Sequence, residues 1–183
     1  MKEKQVLGIL RAISHSRIFW VVVLIVGVAL ESTGLYFQYS ENMDPCVYCV
    51  YERALIATYV VAGFVGFIAP DFLITRVLAV LIALAGSVWG LYISISHYLE
   101  VYSQDLSSQC QLSASFPSFL PLDEWLPWLF SPTGACMELP WRLLGYGMPE
   151  WIIAIFSVGL ILSALLFITE FVKVHRSYGR YYR

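Results

Sequence analysis

The chain has 183 residues, 59% of them hydrophobic and 13% charged, with a formal net charge of -2. Its mean hydropathy of +0.71 lies well outside the balance of a water-soluble domain, so a lipid bilayer is the expected solvent. That net charge says little about partners, because the acidic residues gather in the loops, and no nucleic acid is expected as a partner.

At the amino terminus, Lys2, Lys4, Arg11 and Arg17 precede an apolar run. A basic segment followed by the run from Ile18 to Leu30 has the outline of a secretory leader, but no small-x-small site with a polar start follows it. It reads as an uncleaved first span over residues 18–39. Further spans fall at residues 50–69, 77–96 and 151–169. Each is long enough, at about 1.5 Å per residue, to cross a hydrocarbon core of about 30 Å. Backbone groups in lipid must pair internally, so the spans are helices. The expected fold is therefore an all-α membrane protein, a four-transmembrane-helix bundle forming one integral membrane domain over residues 1–183.

Orientation follows from the lysines and arginines. Nine of the eleven fall on one side: those four, Arg76 in the turn after the second span, and Lys173, Arg176, Arg180 and Arg183 in the tail. Arg53 and Arg142 alone lie on the other. The positive-inside rule then makes both termini cytoplasmic and turns the loops at 40–49 and 97–150 outward. In a bacterium that compartment is the periplasm, and in a eukaryote the secretory lumen; disulfides persist in both.

Pro70 and Asp71 break the second span from the third, and Met148, Pro149 and Glu150 lead into the last. The long outer loop contains FPSFLPLDEWLPWLF, residues 116–130. This stretch is too apolar for a free loop and too interrupted by Pro117, Pro121 and Pro127 for a span. Two readings fit: a short interfacial helix with Asp123 and Glu124 toward water, or aromatic residues covering the outer end of the bundle.

All four cysteines, Cys46, Cys49, Cys110 and Cys136, fall on the outer side. Cys46 and Cys49 form a CxxC at the mouth of the second span, able to close a small ring and reopen it. A helix amino terminus stabilises a thiolate, which makes Cys49 the better nucleophile by this geometry. Arg53 lies one turn further along the same face, placed to reach Cys49 or a bound acceptor. Two other readings stay open for the cysteines. Inert structural disulfides are always permitted by an even count. A metal site would need two more soft ligands, and Cys110 and Cys136, 61 and 87 residues from Cys49, match no recognised ligand spacing, so no metal is expected.

Arg53 could instead only anchor its helix to headgroups, as Arg17 and Arg76 are expected to do. His97, at the outer end of the third span, reads either as a donor to a polar ligand or as a solvated span end. Glu31 and Glu52 are ionisable groups in lipid-facing segments, to be neutral or paired rather than catalytic. Tyr48, Tyr51, Trp89, Tyr92 and Tyr98 read as an aromatic belt.

The run from residue 29 to 54, ALESTGLYFQYSENMDPCVYCVYERA, resembles the disulfide bond formation protein B (DsbB) family of bacterial inner-membrane thiol:quinone oxidoreductases. The family's further landmarks follow in order: His97, Cys110 thirteen residues later, an FPxxLPLDxWLP-like stretch from Phe116 to Pro127, and Cys136. The resemblance implies reoxidation of a periplasmic thioredoxin-fold partner, DsbA-like, with electrons passed to ubiquinone or menaquinone. It also implies roles. Cys110 would be attacked by the partner's thiolate, with Cys136 as its loop mate. Cys46 would exchange with the loop pair through Cys136. Cys49 would stand beside the quinone, with Arg53 and His97 polarising its oxygens. Two other classes share parts of the pattern. A tetraspanin-like scaffold with structural disulfides lacks any need for a CxxC at a span mouth. An enzyme resembling vitamin K epoxide reductase would carry its CxxC near the carboxyl-terminal part of the bundle.

Overall fold

A computed structural model describes residues 2–102, 114–134 and 141–171. Cys110, Cys136 and the basic tail residues Lys173, Arg176, Arg180 and Arg183 lie outside them. Among the described residues, four helices are long and apolar enough to cross a membrane: α2 (Arg17–Tyr39), α3 (Val47–Ile68), α4 (Leu73–Tyr102) and α7 (Met148–Phe171). The chain is thus an all-α, multi-pass membrane protein. Its outer faces carry side chains such as Val22, Ile25, Phe64, Leu78 and Ile161, which are exposed in the isolated chain and suited to lipid.

The helices run past the apolar runs that announce them. Polar and aromatic residues continue each ladder into the interface, so α4 extends to Tyr102 and α3 begins at Val47, placing Cys49 inside its first turn. An amphipathic helix not anticipated from the sequence, α1 (Lys2–Ser14), precedes the first span and packs on α7. The chain breaks at His15 and Ser16, and Trp20 of α2 donates its indole N–H to Ser14 O at 2.9 Å.

Packing follows chain order: α3 lies against α2 and α4, and α4 against α7, whereas α2 and α7 barely touch. Close approach depends on small residues. A Cβ on Gly63 would lie 2.6 Å from the backbone N of Leu24, and one on Gly90 would lie 2.2 Å from the Phe156 ring. Phe156 itself is fully buried beside Ile56, Tyr59 and Ala83. Because α2 and α7 diverge, a gap opens between them at the end of the bundle that carries the CxxC.

The opposite end is closed by a buried ion pair. Arg76, expected as a headgroup anchor in a turn, instead lies inside α4, 3% exposed, with its guanidinium 2.9 Å from Glu170 Oε2. The same guanidinium donates to Pro70 O at 2.8 Å, and Ser14 Oγ donates to Glu170 Oε1 at 2.7 Å. One buried pair therefore joins α1, α4, α7 and the turn after α3. The anchoring role fails for Arg76 because its partner, 94 residues away, supplies the counter-charge that headgroups would otherwise give.

The long loop holds two single helical turns rather than one short helix, α5 (Leu122–Trp125) and α6 (Pro127–Phe130), because Pro127 starts a new turn. Part of this stretch covers the CxxC end of the bundle, the second of the two readings. Phe130, Phe116, Leu122 and Leu129 pack on Val47 and Val50 at the start of α3, while Phe119, Trp125 and Trp128 point outward. A two-stranded hairpin, β1 (Arg142–Leu143) and β2 (Tyr146–Gly147), turns through Leu144 and Gly145, both at positive φ, and delivers the chain into α7.

Candidate dithiol and ligand site

The site is built at the amino terminus of α3. Pro45 ends the preceding loop, and Cys46 adopts the extended backbone of an N-cap, its Sγ accepting the Cys49 N–H at 3.3 Å. The two sulfurs lie 2.9 Å apart. The hydrogen bond from the Cys49 thiol, aided by that backbone N–H, lowers the Cys46 thiol from its ordinary value against the opposing effect of burial. In the dithiol form, thiolate character therefore falls on Cys46, the capping residue. This differs from the expectation for Cys49, because it is the N-cap side chain that receives the free N–H of the first turn.

His97 is 4% exposed, not a solvated span end. Its Nδ1 lies 3.0 Å from Glu52 Oε1 and its Nε2 3.7 Å from Cys46 Sγ, while the ring of Tyr48 stacks on it at 5.5 Å and 10°. Glu52 is 1% exposed and is thus the paired acid that the sequence allowed. The carboxylate of Glu31 is buried with no hydrogen-bond partner among the described residues. Of the expected belt, Trp89 and Tyr92 do face outward, at 62% and 65% exposed.

Arg53 sits one turn beyond Cys49 and is 8% exposed. Its guanidinium does not bond the thiols. It donates to Gln38 Oε1, to Gly34 O at 2.9 Å and to Leu129 O at 3.3 Å, tying α3 to α2 and α6. Gln38 was not anticipated as a partner; a polar side chain near the end of an otherwise apolar helix was the signal available for it.

These groups open on a cavity of about 320 Å³ in the gap between α2 and α7. Cys46, Cys49, Glu52, Arg53 and His97 line one wall, and apolar residues such as Leu30, Phe37, Ile152 and Ile155 line the others. Trp141, tilted against Phe37 at 5.2 Å, also borders it. A mostly apolar cleft with a few convergent polar groups is the usual form of a small-molecule site.

The loop that follows α6 returns to the same place. Thr133 and Gly134 donate their N–H groups to Pro45 O at 2.9 and 3.0 Å, and Thr133 Oγ1 donates to Asp44 Oδ1 at 2.9 Å. A Cβ on Gly134 would lie 2.3 Å from Asp44 O, so only glycine fits this approach. Thr133 and Gly134 are thereby fixed beside Pro45, the residue before Cys46; Cys110 and Cys136 themselves lie outside the described residues.

Sequence comparison agrees with this architecture. The profile of the family described as disulfide bond formation protein DsbB matches residues 16–166. The chain is 40% identical over 168 residues to the disulfide bond formation protein B of Histophilus somni, spanning 90% of this chain and 93% of that protein. It is 37% identical to those of Psychromonas ingrahamii, over 93% of this chain and 92% of the relative, and Haemophilus influenzae strain Rd, over 93% and 96%. The chain belongs to the DsbB family of disulfide bond formation proteins.

Proposed function

We propose that this protein is a thiol:quinone oxidoreductase of the bacterial inner membrane, reoxidising a periplasmic thioredoxin-fold partner of the DsbA kind. The observation that carries the reading is the opening of the Cys46–Cys49 pair onto a mostly apolar cavity that Arg53 and His97 also line. A dithiol meets water-borne partners from one side and a lipid-borne oxidant from the other.

The partner's thiolate attacks Cys110 of the Cys110–Cys136 disulfide, its second thiol displaces Cys110 so that the partner leaves as a disulfide, and the loop dithiol so formed reduces the Cys46–Cys49 disulfide by exchange through Cys136. The hydrogen bonds from Thr133 and Gly134 to Pro45 support that route, because they hold residues two and three positions before Cys136 against the residue that precedes Cys46. The exchange leaves Cys46 and Cys49 as thiols. Arg53 then presents a fixed cation at the cavity, where low dielectric strengthens its pull on developing negative charge. Among the described residues, three hydrogen bonds occupy three of its five N–H donors, leaving two for a ligand oxygen. His97, held by Glu52 through Nδ1, turns Nε2 toward Cys46, where it can take or return a proton.

Ubiquinone or menaquinone fits the cavity's apolar walls and polar edge, and when bound supplies the two-electron oxidant that regenerates the Cys46–Cys49 disulfide. Such an acceptor is needed because a DsbA-type partner, at about -120 mV, is itself a strong oxidant, and each 30 mV corresponds to about 1.4 kcal/mol for a two-electron couple. Both termini are cytoplasmic in this reading. Burial and pairing of Arg76 remove it from the charge asymmetry, which then rests on the terminal lysines and arginines.

Mixing the purified protein with quinone and a reduced thioredoxin-fold partner tests the assignment. Quinone absorbance is expected to fall, and to stay constant with Cys46→Ser or Cys110→Ser. Full quinone reduction by either variant would overturn it.

A further inference from the structure

In its reduced form the Cys46–Cys49 pair has a third donor beside it that sequence spacing did not supply. One ligand atom each from Cys46, Cys49 and His97 lie within 4.8 Å of one another. We propose that the dithiol state of this site binds one thiophilic divalent cation of the zinc or cadmium class, and that the bound cation locks the pair against reoxidation. This site is independent of the loop cysteines.

The donor set is soft and of the right number. Two thiolates and an imidazole are a familiar three-ligand set for zinc, with a fourth position left to water. Bond lengths of about 2.3 Å to sulfur and 2.0–2.1 Å to nitrogen put tetrahedral ligand atoms about 3.5–3.8 Å apart. Cys46 Sγ and His97 Nε2 already stand at 3.7 Å. The sulfurs, at 2.9 Å, must separate by side-chain rotation. The fourth position faces the cavity that both cysteines and His97 line.

Glu52 supplies a second, independent observation. Its Oε1 lies 3.0 Å from His97 Nδ1, an outer carboxylate that fixes the ring with Nε2 toward the sulfurs and raises its basicity as a ligand. Its Oε2 is buried with no hydrogen-bond partner among the described residues, an uncompensated acceptor beside the site. Charge also closes. The two thiolates and the Glu52 carboxylate are matched by the dication together with Arg53, which shares the same wall of the cavity.

Binding displaces the thiol protons to solvent and forms two metal–sulfur bonds, with no electron transferred. While those bonds last, the cation neutralises the charge on each sulfur and holds the two about 3.8 Å apart, too far to join as a disulfide. The disulfide form has no thiolates to offer and does not bind.

The test uses the full chain carrying Cys110→Ser and Cys136→Ser, reduced, in detergent, without quinone or partner. It is titrated anaerobically with cadmium, and the thiolate-to-cadmium charge-transfer band is followed. One equivalent is expected to bind to the dithiol and none to the disulfide. Adding Cys46→Ser or Cys49→Ser should abolish the band, and Glu52→Gln should weaken binding about 10- to 100-fold. His97→Gln should weaken binding at least as much. His97→Cys should restore it and intensify the band, which separates ligand loss from misfolding, and helicity is checked by circular dichroism. A band that survives loss of either cysteine, or an affinity unchanged in a helical His97→Gln protein, would overturn the proposal. With no quinone or partner present, that failure leaves the redox assignment standing.

Discussion

His97 is held between an acid and a sulfur: its Nδ1 lies 3.0 Å from Glu52 Oε1 and its Nε2 3.7 Å from Cys46 Sγ. In the tautomer that donates from Nδ1 to Glu52 Oε1, Nε2 is left to exchange a proton with the thiol. Glutamine at position 52 can donate as well as accept and releases that constraint. Glu52→Gln is expected to slow reoxidation of the Cys46–Cys49 dithiol about ten- to hundred-fold, the value of one charged hydrogen bond of about 1.5–3 kcal/mol. Stopped-flow measurement at saturating quinone checks this, and an unchanged rate would remove His97 and Glu52 from proton handling.

Arg53 has two roles that substitutions separate. Its hydrogen bonds to Gly34 O and Leu129 O brace the cavity wall, and its charge faces the cavity. Arg53→Lys keeps the charge but not the fork, and Arg53→Ala removes both. Both proteins should remain helical. Quinone titrations should show turnover weakened most in Arg53→Ala, with the apparent KM for quinone raised about tenfold or more and Arg53→Lys in between. Equal curves for wild type and Arg53→Ala would refute the role.

The α2–α3 contact should be intolerant of one carbon. A Cβ on Gly63 would sit 2.6 Å from Leu24 N and 2.8 Å from Leu24 Cα, backbone atoms that can yield only if the helices part. Gly63→Ala is expected to destabilise the bundle by about 1–3 kcal/mol despite the better helix propensity of alanine. Unfolding in a denaturing-detergent titration reads this directly, and a neutral or stabilising result would mean that the two helices pack less closely than described.

At the other end, Arg76 and Glu170 should behave as a unit. Removing one partner strands a buried charge, so Arg76→Ala or Glu170→Ala should each cost about 3–5 kcal/mol. Arg76→Met combined with Glu170→Met should recover most of that loss. A double-mutant cycle with additive effects would show the pair to be uncoupled.

The spans were legible because about 20 apolar residues in a row have few alternatives in lipid, and the CxxC, Arg53 and His97 could be named from spacing and side. What spacing could not supply was partnership. Arg76 looks like an anchor until Glu170 arrives from another helix, and His97 looks solvated until Glu52 and Tyr48 of α3 cover it. The thiolate preference within the CxxC depended on one residue of helix boundary: a start at Val47 makes Cys46 the cap. The amphipathic α1 and the hairpin at Leu144 and Gly145 are short elements whose stability comes from docking, and periodicity in an apolar chain marks them weakly.

The most direct measurement isolates the inner pair. In a chain carrying Cys110→Ser and Cys136→Ser, the Cys46–Cys49 dithiol is mixed anaerobically with quinone alone, and thiols and quinone are counted together. One quinone should be reduced for each pair converted to disulfide, with no partner protein present. Dithiol that persists with excess quinone, or that oxidises without matching loss of quinone, would contradict the assignment of this cavity as the place where protein thiols meet a lipid-soluble oxidant.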